Sequence, residues 1–364
     1  MKILHILSSD FYSGAVAYVS VLVKKQLEDG HEILIMTDNP LNGLEHLCIT
    51  VPVSNRKYKN RIKNVAIIKE LATERKIDVV HAHSRAASWV AYYAVRRKKI
   101  AMVSSIHGIQ KKTSRLTLKR VDVYGDEIIC ICKNLAQQLI NEVRLSGKKI
   151  SVIHNGIDNS FTDTGSSAIT LPEGKKTISV IGRFNGPKGQ NFSSFICNVF
   201  PLLLEKYEHL SIRLIGPEWG ALPEEGKAAF SKLSEQYKDR IIHNGYTKDV
   251  KSIMLSSDLI IGGGRVAIEA LMLKKAIFAI GEAEMHGLLG NENIQDAIDS
   301  NFGDIKPGIR SFEVDAQKAF DQIDTFLKSD ESPFIYNHLS ELYSIESTSK
   351  QIELVYQKAI SGKK

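Results

Sequence analysis

A stretch in the middle of the chain, Thr177–Gly189, reads TISVIGRFNGPKG and indicates how the protein folds. Its first part, Thr177–Gly182, is a short β-branched run of the kind found in buried strands. Asparagine, glycine and proline follow, which is typical of a turn, and helical spacing begins near Gln190. The stretch therefore predicts a strand, a loop and a helix in direct succession.

The same succession repeats along most of the chain, which predicts parallel sheets with right-handed crossovers. A polar, turn-rich segment, Asp158–Ser167, interrupts it like a linker, and 364 residues exceed the usual size of one hydrophobic core. We therefore expect an α/β protein of two Rossmann-like doubly wound domains facing a cleft, residues 1–164 and 172–345. The predicted strands are Ile3–Leu7, Glu32–Met36, Val79–His83, Ile100–Ile106, Glu127–Cys132, Ile150–His154, Thr177–Gly182, Leu210–Gly216, Ile241–His243, Asp258–Gly262 and Ala276–Ile280.

Composition favours a globular protein of a reducing compartment. Hydrophobic residues make up 43% and charged residues 24% of the chain. The short apolar start, Met1–Leu7, predicts a strand rather than a signal peptide, and no apolar run is long enough to span a bilayer. Four cysteines in a chain of this length indicate free thiols. We therefore expect a cytoplasmic protein.

Positive charge is concentrated in the first half. Residues 1–165 contain 25 lysines and arginines against 15 acidic residues, whereas residues 166–364 contain 23 against 26. The densest runs are 56–63, 96–99 and 111–120. This distribution indicates either a solvated basic face or an acidic membrane surface as partner, with localisation at the inner face of the cytoplasmic membrane. The motifs of nucleic-acid modules are absent, so no nucleic-acid partner is expected.

Two cations follow the strand of the opening stretch. Arg183 and Lys188 straddle the turn 185–187, so they can converge on one diphosphate. Gly182 and Gly189 flank them, as a close approach of backbone to phosphate requires. The alternative is an ordinary pair of surface cations.

A glycine run precedes the helix that carries an unusual carboxylate. Gly262, Gly263 and Gly264 can present backbone N–H groups to an anion, and the helix N-terminus adds a favourable dipole. Glu269 lies in the second turn of this otherwise apolar helix, where a carboxylate needs a partner. Arg265 either joins the phosphate site or faces solvent.

Histidines stand at the ends of two predicted strands. His107 ends an apolar strand just before a glycine, where it can contact a ligand or form a structural hydrogen bond. His81 and His83 share one face of a strand, but no third metal ligand is apparent beside them, so packing is favoured. Cys130 and Cys132 lack a second pair at zinc spacing, and no metal site is expected.

Motifs in both halves resemble those of a single enzyme family when they are taken in order. They are Ser13-Gly14, Gly30-His31-Glu32, Asp78 to Ser84, Ile106-His107-Gly108, Ser151 to Asp158, Gly182-Arg183-Phe184 with Lys188-Gly189, and Arg265 to Leu271. Together they resemble glycosyltransferase family four, the retaining enzymes of the two-domain B-type fold.

The resemblance implies an activity and assigns roles to the residues. It implies a hexosyltransferase in which Arg183, Lys188 and His107 serve catalysis, while Glu269 binds the ribose beside the glycine run and Arg265. Ser13 and Gly14 fall where the family binds its acceptor or the donor phosphate, and His83 is assigned to the acceptor site with them. The resemblance also implies that a final helix, 346–364, returns to the first domain.

The expected substrates are a nucleotide diphosphate sugar and an acceptor. A UDP-sugar is favoured as donor, and a glycan or lipid-linked molecule in polysaccharide or lipopolysaccharide synthesis as acceptor. The chain contains no Asp-x-Asp motif, so metal-independent transfer without a cofactor is expected.

One departure from the family pattern leaves alternatives open. Family members carry a glutamate eight positions before the one matched by Glu269, and this chain has Ile261 there. How the donor sugar is held is therefore in doubt. A nucleotide-sugar 2-epimerase of the same fold and a non-catalytic donor-binding subunit remain possible. A nicotinamide dehydrogenase is disfavoured, since the loop after the first strand lacks Gly-x-Gly-x-x-Gly.

Overall fold

The chain forms two compact units. Unit 1 consists of Met1–Asp158 with Ser340–Lys364, and unit 2 of Asn159–Leu339. The computed structural model describes residues 1–8, 14–110, 112–162, 175–309, 311–329 and 336–363. Ser13 and the second half of the predicted linker, with the boundaries at 164 and 172, lie outside these residues.

Unit 1 is built on a parallel sheet of seven strands in the order β3-β2-β1-β4-β5-β6-β7. The strands are β1 Lys2–Leu7, β2 Glu32–Thr37, β3 Cys48–Thr50, β4 Val79–Ala82, β5 Ala101–Ile106, β6 Glu127–Cys130 and β7 Ile150–Val152. The helices between them are α1 Gly14–Glu28, α2 Tyr58–Glu74, α3 Arg85–Val95, α4 Lys112–Arg120 and α5 Lys133–Gln138, which continues into a π-helical turn, Leu139–Val143.

Both faces of this sheet are covered, as a parallel sheet requires. On one face, Ile3 and Leu7 of β1 pack with apolar residues of α1 and of the last helix of the chain. On the other face, Leu4 and Ile6 pack with α2 and α3. All residues of β4 and β5 are buried, which explains why these strands are short apolar runs in the sequence.

Unit 2 has a six-stranded sheet in the order β10-β9-β8-β11-β12-β13. Its strands are β8 Lys176–Ile181, β9 Leu210–Ile215, β10 Ile241–Gly245, β11 Leu259–Gly262, β12 Ala276–Ile280 and β13 Met285–Leu288. Its helices are α6 Asn159–Thr162, α7 Gly186–Asn198, α8 Phe200–Lys206, α9 Glu224–Tyr237, α10 Val250–Leu255, α11 Arg265–Met272, α12 Ile294–Asp299 and α13 Ala316–Lys328. Among the described strands of this sheet, only the edge strand β13 pairs antiparallel.

The structure confirms two doubly wound α/β domains. Each strand predicted from the sequence is present, with ends shifted by no more than two residues. β3 and β13 were missed, and both are edge strands. β3 has only three residues, and β13 reads MHGL without a β-branched residue. Such short edge pairings depend on the neighbouring strand rather than on a local pattern.

The last two helices, α14 Leu339–Tyr343 and α15 Ile345–Ser361, lead the chain into unit 1. The Ile157 N–H donates to the carbonyl of Tyr343 at 2.7 Å, and the Ile345 N–H donates back to Ile157 at 3.1 Å. The change of unit therefore falls between Leu339 and Ser340, rather than between 345 and 346 as predicted.

None of the described helices has the length and apolar character needed to cross a bilayer.

A chain of buried polar groups joins α15 to the sheet of unit 1. Parallel pairing of β1 with β4 puts His5 directly beside His81. His81 is hydrogen-bonded to Tyr356 of α15 at 2.6 Å and to Ser105 of β5 at 2.8 Å. We refer to this set as the histidine chain, and its members are Ser105, His81, Tyr356, Gln26, His5 and His83.

The other end of the histidine chain brings in a third histidine. His5 is hydrogen-bonded to Gln26 at 2.8 Å and to His83 at 2.9 Å. The prediction that His81 and His83 lack a third potential metal ligand is therefore wrong, because a ring nitrogen of His5 lies within 4.8 Å of a ring nitrogen of each. The sequence could not reveal it, since His5 comes from a different strand. In the structure these rings bind one another and their polar neighbours.

Burial keeps these imidazoles neutral. It lowers the pKa of His5 to about 4, although the hydrogen bond that His5 donates to Gln26 opposes the shift. Burial, followed by the charges of neighbouring histidines, lowers the pKa of His81 and of His83 well below the usual value. The unfolded chain therefore binds protons below about pH 6.5 that the native state does not bind.

We predict that stability falls as the pH drops from about 6.5 towards 4. His5 alone should lower the free energy of unfolding by about 2 kcal/mol at about pH 5, because its native pKa is depressed. Denaturant unfolding at several pH values, with a chelator present, measures the slope. The variant His5→Asn should show a shallower slope, whereas His209→Gln, at an exposed position of unit 2, should keep it. An equal slope in His5→Asn and the parent would contradict the explanation.

Candidate functional site

Two cations of unit 2 meet a pair of carboxylates. Arg183 follows β8, and its Nη2 donates to Glu282 Oε1 at 2.9 Å. Lys188 Nζ lies 2.8 Å from Oδ1 and 3.0 Å from Oδ2 of Asp304. The backbone N–H of Glu282 donates to Asp304 Oδ1 at 3.2 Å, so the two ion pairs are joined. The structure thus connects Arg183 and Lys188 through one network of carboxylates.

The two ion pairs differ in how firmly they are held. The Arg183 side chain is 56% exposed, and an exposed pair of this kind contributes only about 0–1 kcal/mol. The Lys188 side chain is 14% exposed and its partner Asp304 is 21% exposed. Arg183 can therefore exchange its carboxylate for another anion at little cost, while Lys188 is the more fixed cation.

Lys188 lies on a helix rather than in a loop. Helix α7 begins at Gly186, Pro187 occupies its first turn, and Gly186 has a φ of +56°. Proline suits the first turn of a helix because its missing N–H would have no partner there. The predicted turn 185–187 is therefore shorter than expected, and Lys188 stands at the amino end of α7.

Internal packing accounts for the two glycines that flank these cations. A Cβ on Gly189 would lie 2.2 Å from the carbonyl oxygen of Phe184, and one on Gly182 would lie 2.8 Å from the ring of Phe192. Both positions exclude a larger residue because protein atoms already fill the space. The structure thus gives a different reason for these glycines from the phosphate approach inferred from the sequence.

The glycine run after β11 leads to the same carboxylate pair. A Cβ on Gly262 would collide with Val266, and one on Gly263 with the carbonyl of Ile280. Gly264 has a φ of +61°, and a Cβ there would lie 2.2 Å from Asp304 Oδ2. The run therefore packs beside the partner of Lys188 and places the amino end of α11 there.

Arg265 and Glu269 form an ion pair one turn apart on α11. Arg265 Nε donates to Glu269 Oε1 at 2.7 Å. Burial raises the pKa of the Glu269 carboxyl, and the neighbouring Arg265 opposes this shift. Glu269 therefore has a protein partner, and Arg265 is not simply a solvent-facing residue. The Nη1 of Arg265 is buried and has no hydrogen-bond partner among the described residues.

Unit 1 places two candidate histidines at the carboxyl ends of adjacent strands. His83 follows β4 and His107 follows β5, with ring centroids 6.1 Å apart. Nδ1 of His83 and both ring nitrogens of His107 are shielded from solvent and have no hydrogen-bond partner within the described part of the chain. Burial lowers the pKa of His107 to about 4. Neutral His83 can give or accept one hydrogen bond to a ligand through Nδ1, whereas neutral His107 can give one and accept one.

The remaining acceptor candidates give less information. Ser13 lies outside the described residues. Gly14 begins α1 and is exposed, and no described atom would lie within 4 Å of a Cβ placed there.

The sequence did not reveal the acidic partners of the two cations. Glu282 follows β12, so its place at a strand end was an available signal. Asp304 follows no strand and gave none. Asn191 was also missed, although it is buried on α7 and its amide donates to the carbonyl of Gly281 at 2.8 Å. This bond ties the loop of Glu282 to the helix of Lys188.

Part of the sequence matches the model of a known family. Residues 12–161 match the model of Glycosyltransferase Family 4. No curated protein matches the chain.

Solved structures share the fold over the whole chain. A glycosyltransferase from Rickettsia africae superposes with a TM-score of 0.76 at 18% identity, covering 99% of this chain and 98% of that one. HepE from Anabaena, in complex with UDP, gives 0.73 at 18% identity over 98% and 100%. A putative UDP-N-acetylglucosamine 2-epimerase from Listeria monocytogenes gives 0.65 at 12% identity over 99% and 97%. Part of the chain, residues 12–161, therefore resembles Glycosyltransferase Family 4 in sequence, and the whole chain shares its fold with these solved structures.

Proposed function

We propose that the chain transfers a hexosyl group from a UDP-sugar to a glycan or lipid-linked acceptor, with retention of configuration and without a metal ion. The observation that carries this proposal is the meeting of Arg183 and Lys188 at Glu282 and Asp304, beside the amino end of α11. The similarity in fold to HepE, which was solved in complex with UDP, supports UDP as the nucleotide.

The two cations would hold the donor diphosphate. A phosphate oxygen can replace the carboxylate of Glu282 at Arg183, because that ion pair is exposed and weak. Lys188 would add a second positive charge, and the first amides of α11 would complete the site. These groups stabilise the negative charge that develops on the leaving diphosphate.

The nucleoside would be held by α11. Glu269 would accept hydrogen bonds from the ribose hydroxyls, and its pairing with Arg265 opposes the rise in pKa that burial causes. The unpaired Nη1 of Arg265 supports a further contact to the donor. Ile261 is fully buried in β11, so its side chain leaves the sugar hydroxyls to other groups.

The acceptor would bind in unit 1. His107 and His83 have free ring nitrogens at the carboxyl edge of the sheet, which suits contacts to sugar hydroxyls. In the proposed reaction the bond between the anomeric carbon and the diphosphate oxygen breaks. The acceptor oxygen then bonds to that carbon on the same face, and its proton passes to the departing diphosphate.

We predict that Arg183→Ala weakens UDP binding by roughly 10-fold or more, because a hydrogen bond to a charged group contributes about 1.5–3 kcal/mol. Isothermal titration with UDP measures the effect. Lys206→Ala removes a lysine whose ion pair with Asp324 lies elsewhere in unit 2, and it should bind UDP normally. Unchanged UDP affinity in Arg183→Ala would remove this residue from the donor site.

The epimerase remains the second candidate because a protein named as such shares the fold. An epimerase needs no acceptor, whereas a transferase does. We predict that UDP release from a UDP-sugar requires an added lipid or glycan fraction, as measured by a coupled UDP assay. Conversion of the sugar at C2 without acceptor, followed by NMR, would favour the epimerase. Tight UDP-sugar binding with neither reaction would favour a non-catalytic subunit.

We also propose that unit 1 docks on the inner face of the cytoplasmic membrane during polysaccharide or lipopolysaccharide synthesis. The basic run at the end of α3 supports this, since Arg96, Arg97 and Lys99 are exposed. Arg96 lies over the ring of Tyr93 at 4.8 Å. Lys98 is instead hydrogen-bonded to Thr73. Exposed cations beside an aromatic side chain suit an acidic lipid surface.

We predict that replacing Arg96, Arg97 and Lys99 by glutamate abolishes sedimentation with vesicles that contain phosphatidylglycerol, because attraction becomes repulsion. Vesicles of phosphatidylcholine alone are the control. UDP affinity should stay unchanged, since the proposed UDP site lies in unit 2. Undiminished binding of the variant to acidic vesicles would exclude this run as the anchor.

A further inference from the structure

Three arginines of unit 1 lie where α2 and α3 begin. Arg56 precedes α2, Arg61 is in its first turn, and Arg85 is the first residue of α3. In a parallel sheet with helical crossovers, helices begin at the carboxyl edge of the strands. Arg85 follows β4 by only three residues and stands two residues after His83. The arginines therefore belong to the same edge of the sheet as the two histidines with free nitrogens.

An aromatic ring fixes the position of the central arginine. The guanidinium carbon of Arg61 lies 4.6 Å from the centroid of the Trp89 ring. Trp89 is four residues after Arg85 on α3, so the two share one face of that helix. Stacking on the ring leaves the N–H groups at the edge of a guanidinium free to bind a planar or tetrahedral anion.

The three positive charges lie close together without neutralisation. Burial, and then the charges of Arg56 and Arg85, lower the pKa of Arg61. None of the three forms an ion pair within the part of the chain that the structure describes. The sequence also supplies no aspartate or glutamate from His46 to Lys69, or from Val79 to Val121. Like charges gathered in this way repel one another, and a bound anion would relieve the repulsion.

A buried hydroxyl gives a second indication of a ligand. Tyr124 is fully buried, and its Oη has no hydrogen-bond partner among the described residues. The charge of Arg85 reaches this hydroxyl and opposes the rise in pKa that burial causes. A buried hydroxyl without a partner is costly, and such groups are commonly satisfied by a ligand or water.

We propose that Arg56, Arg61 and Arg85 form a binding site for a phosphate ester, and that the acceptor of the transfer reaction carries this phosphate. Arginine is the side chain best suited to phosphate because its fork of N–H groups can bind two oxygens at once. The second half of the inference rests on the proposed function, whereas phosphate binding itself does not. The phosphate can belong to a soluble sugar phosphate or to a lipid headgroup.

The test uses the full chain with saturating UDP, so that the proposed donor site is filled. Isothermal titration compares glucose 6-phosphate with glucose, and sedimentation compares vesicles with and without phosphatidic acid. We expect the phosphorylated probe of at least one pair to bind and its partner to bind much less. We expect Arg61→Gln and Arg85→Gln each to weaken that binding by roughly 10-fold or more. Arg75→Gln removes the same charge at the opposite, exposed end of α2 and should have no effect.

Two further measurements distinguish bidentate binding of phosphate from simple charge attraction, and the phosphate site from the proposed function. Arg61→Lys keeps the charge but loses the fork, so it should bind the phosphate more weakly while it folds normally. UDP affinity should be the same in every variant, since the proposed UDP site lies in unit 2. Phosphate binding that depends on Arg61 in a chain that does not bind UDP would retain the site and refute the proposed function. Equal binding of both members of each pair, or equal binding by Arg61→Gln, Arg85→Gln and Arg75→Gln, would overturn the site.

Discussion

Parallel pairing of strands that are distant in sequence is the constraint on which both candidate sites depend. In unit 2, β8 pairs with β11 and β11 with β12. Arg183, the glycine run and Glu282 each follow one of these strands, so they reach one edge of the sheet. In unit 1, pairing of β4 with β5 does the same for His83 and His107. The backbone ladder thus assembles residues that no local interaction would bring together.

The cations of the two candidate sites differ in the groups that hold them. In unit 2, Arg183 and Lys188 are paired with carboxylates, which keeps the cations in place when no anion is bound. In unit 1, an aromatic ring holds Arg61, and the described residues provide no acid for it. An anion must displace a carboxylate in the first case and meets unpaired cations in the second. The segments that carry the unit 1 arginines, 46–69 and 79–121, contain no acidic residue of their own.

The features that could be predicted from the sequence are those that depend on neighbouring residues in the chain. The buried strands were predictable because β-branched runs report burial directly, and Arg183 and Lys188 stand beside such a run. The tertiary partners of the candidate site residues could not be predicted in this way. Asp304 and His5 act through tertiary contacts with segments more than seventy residues away, which leave no trace in spacing. The glycines show a further limit, since the same residue type serves either ligand approach or internal packing, and only the surrounding atoms distinguish the two.

The position of Tyr356 in the histidine chain has a consequence for synthesis on the ribosome. The core of unit 1 includes Ile352 and Tyr356 of α15, which are made after the whole of unit 2. Unit 2 is one continuous segment and can complete its core while the chain is still being translated. The first unit to begin is therefore the last to finish, and until α15 emerges one face of its sheet lacks one of the two helices that cover it.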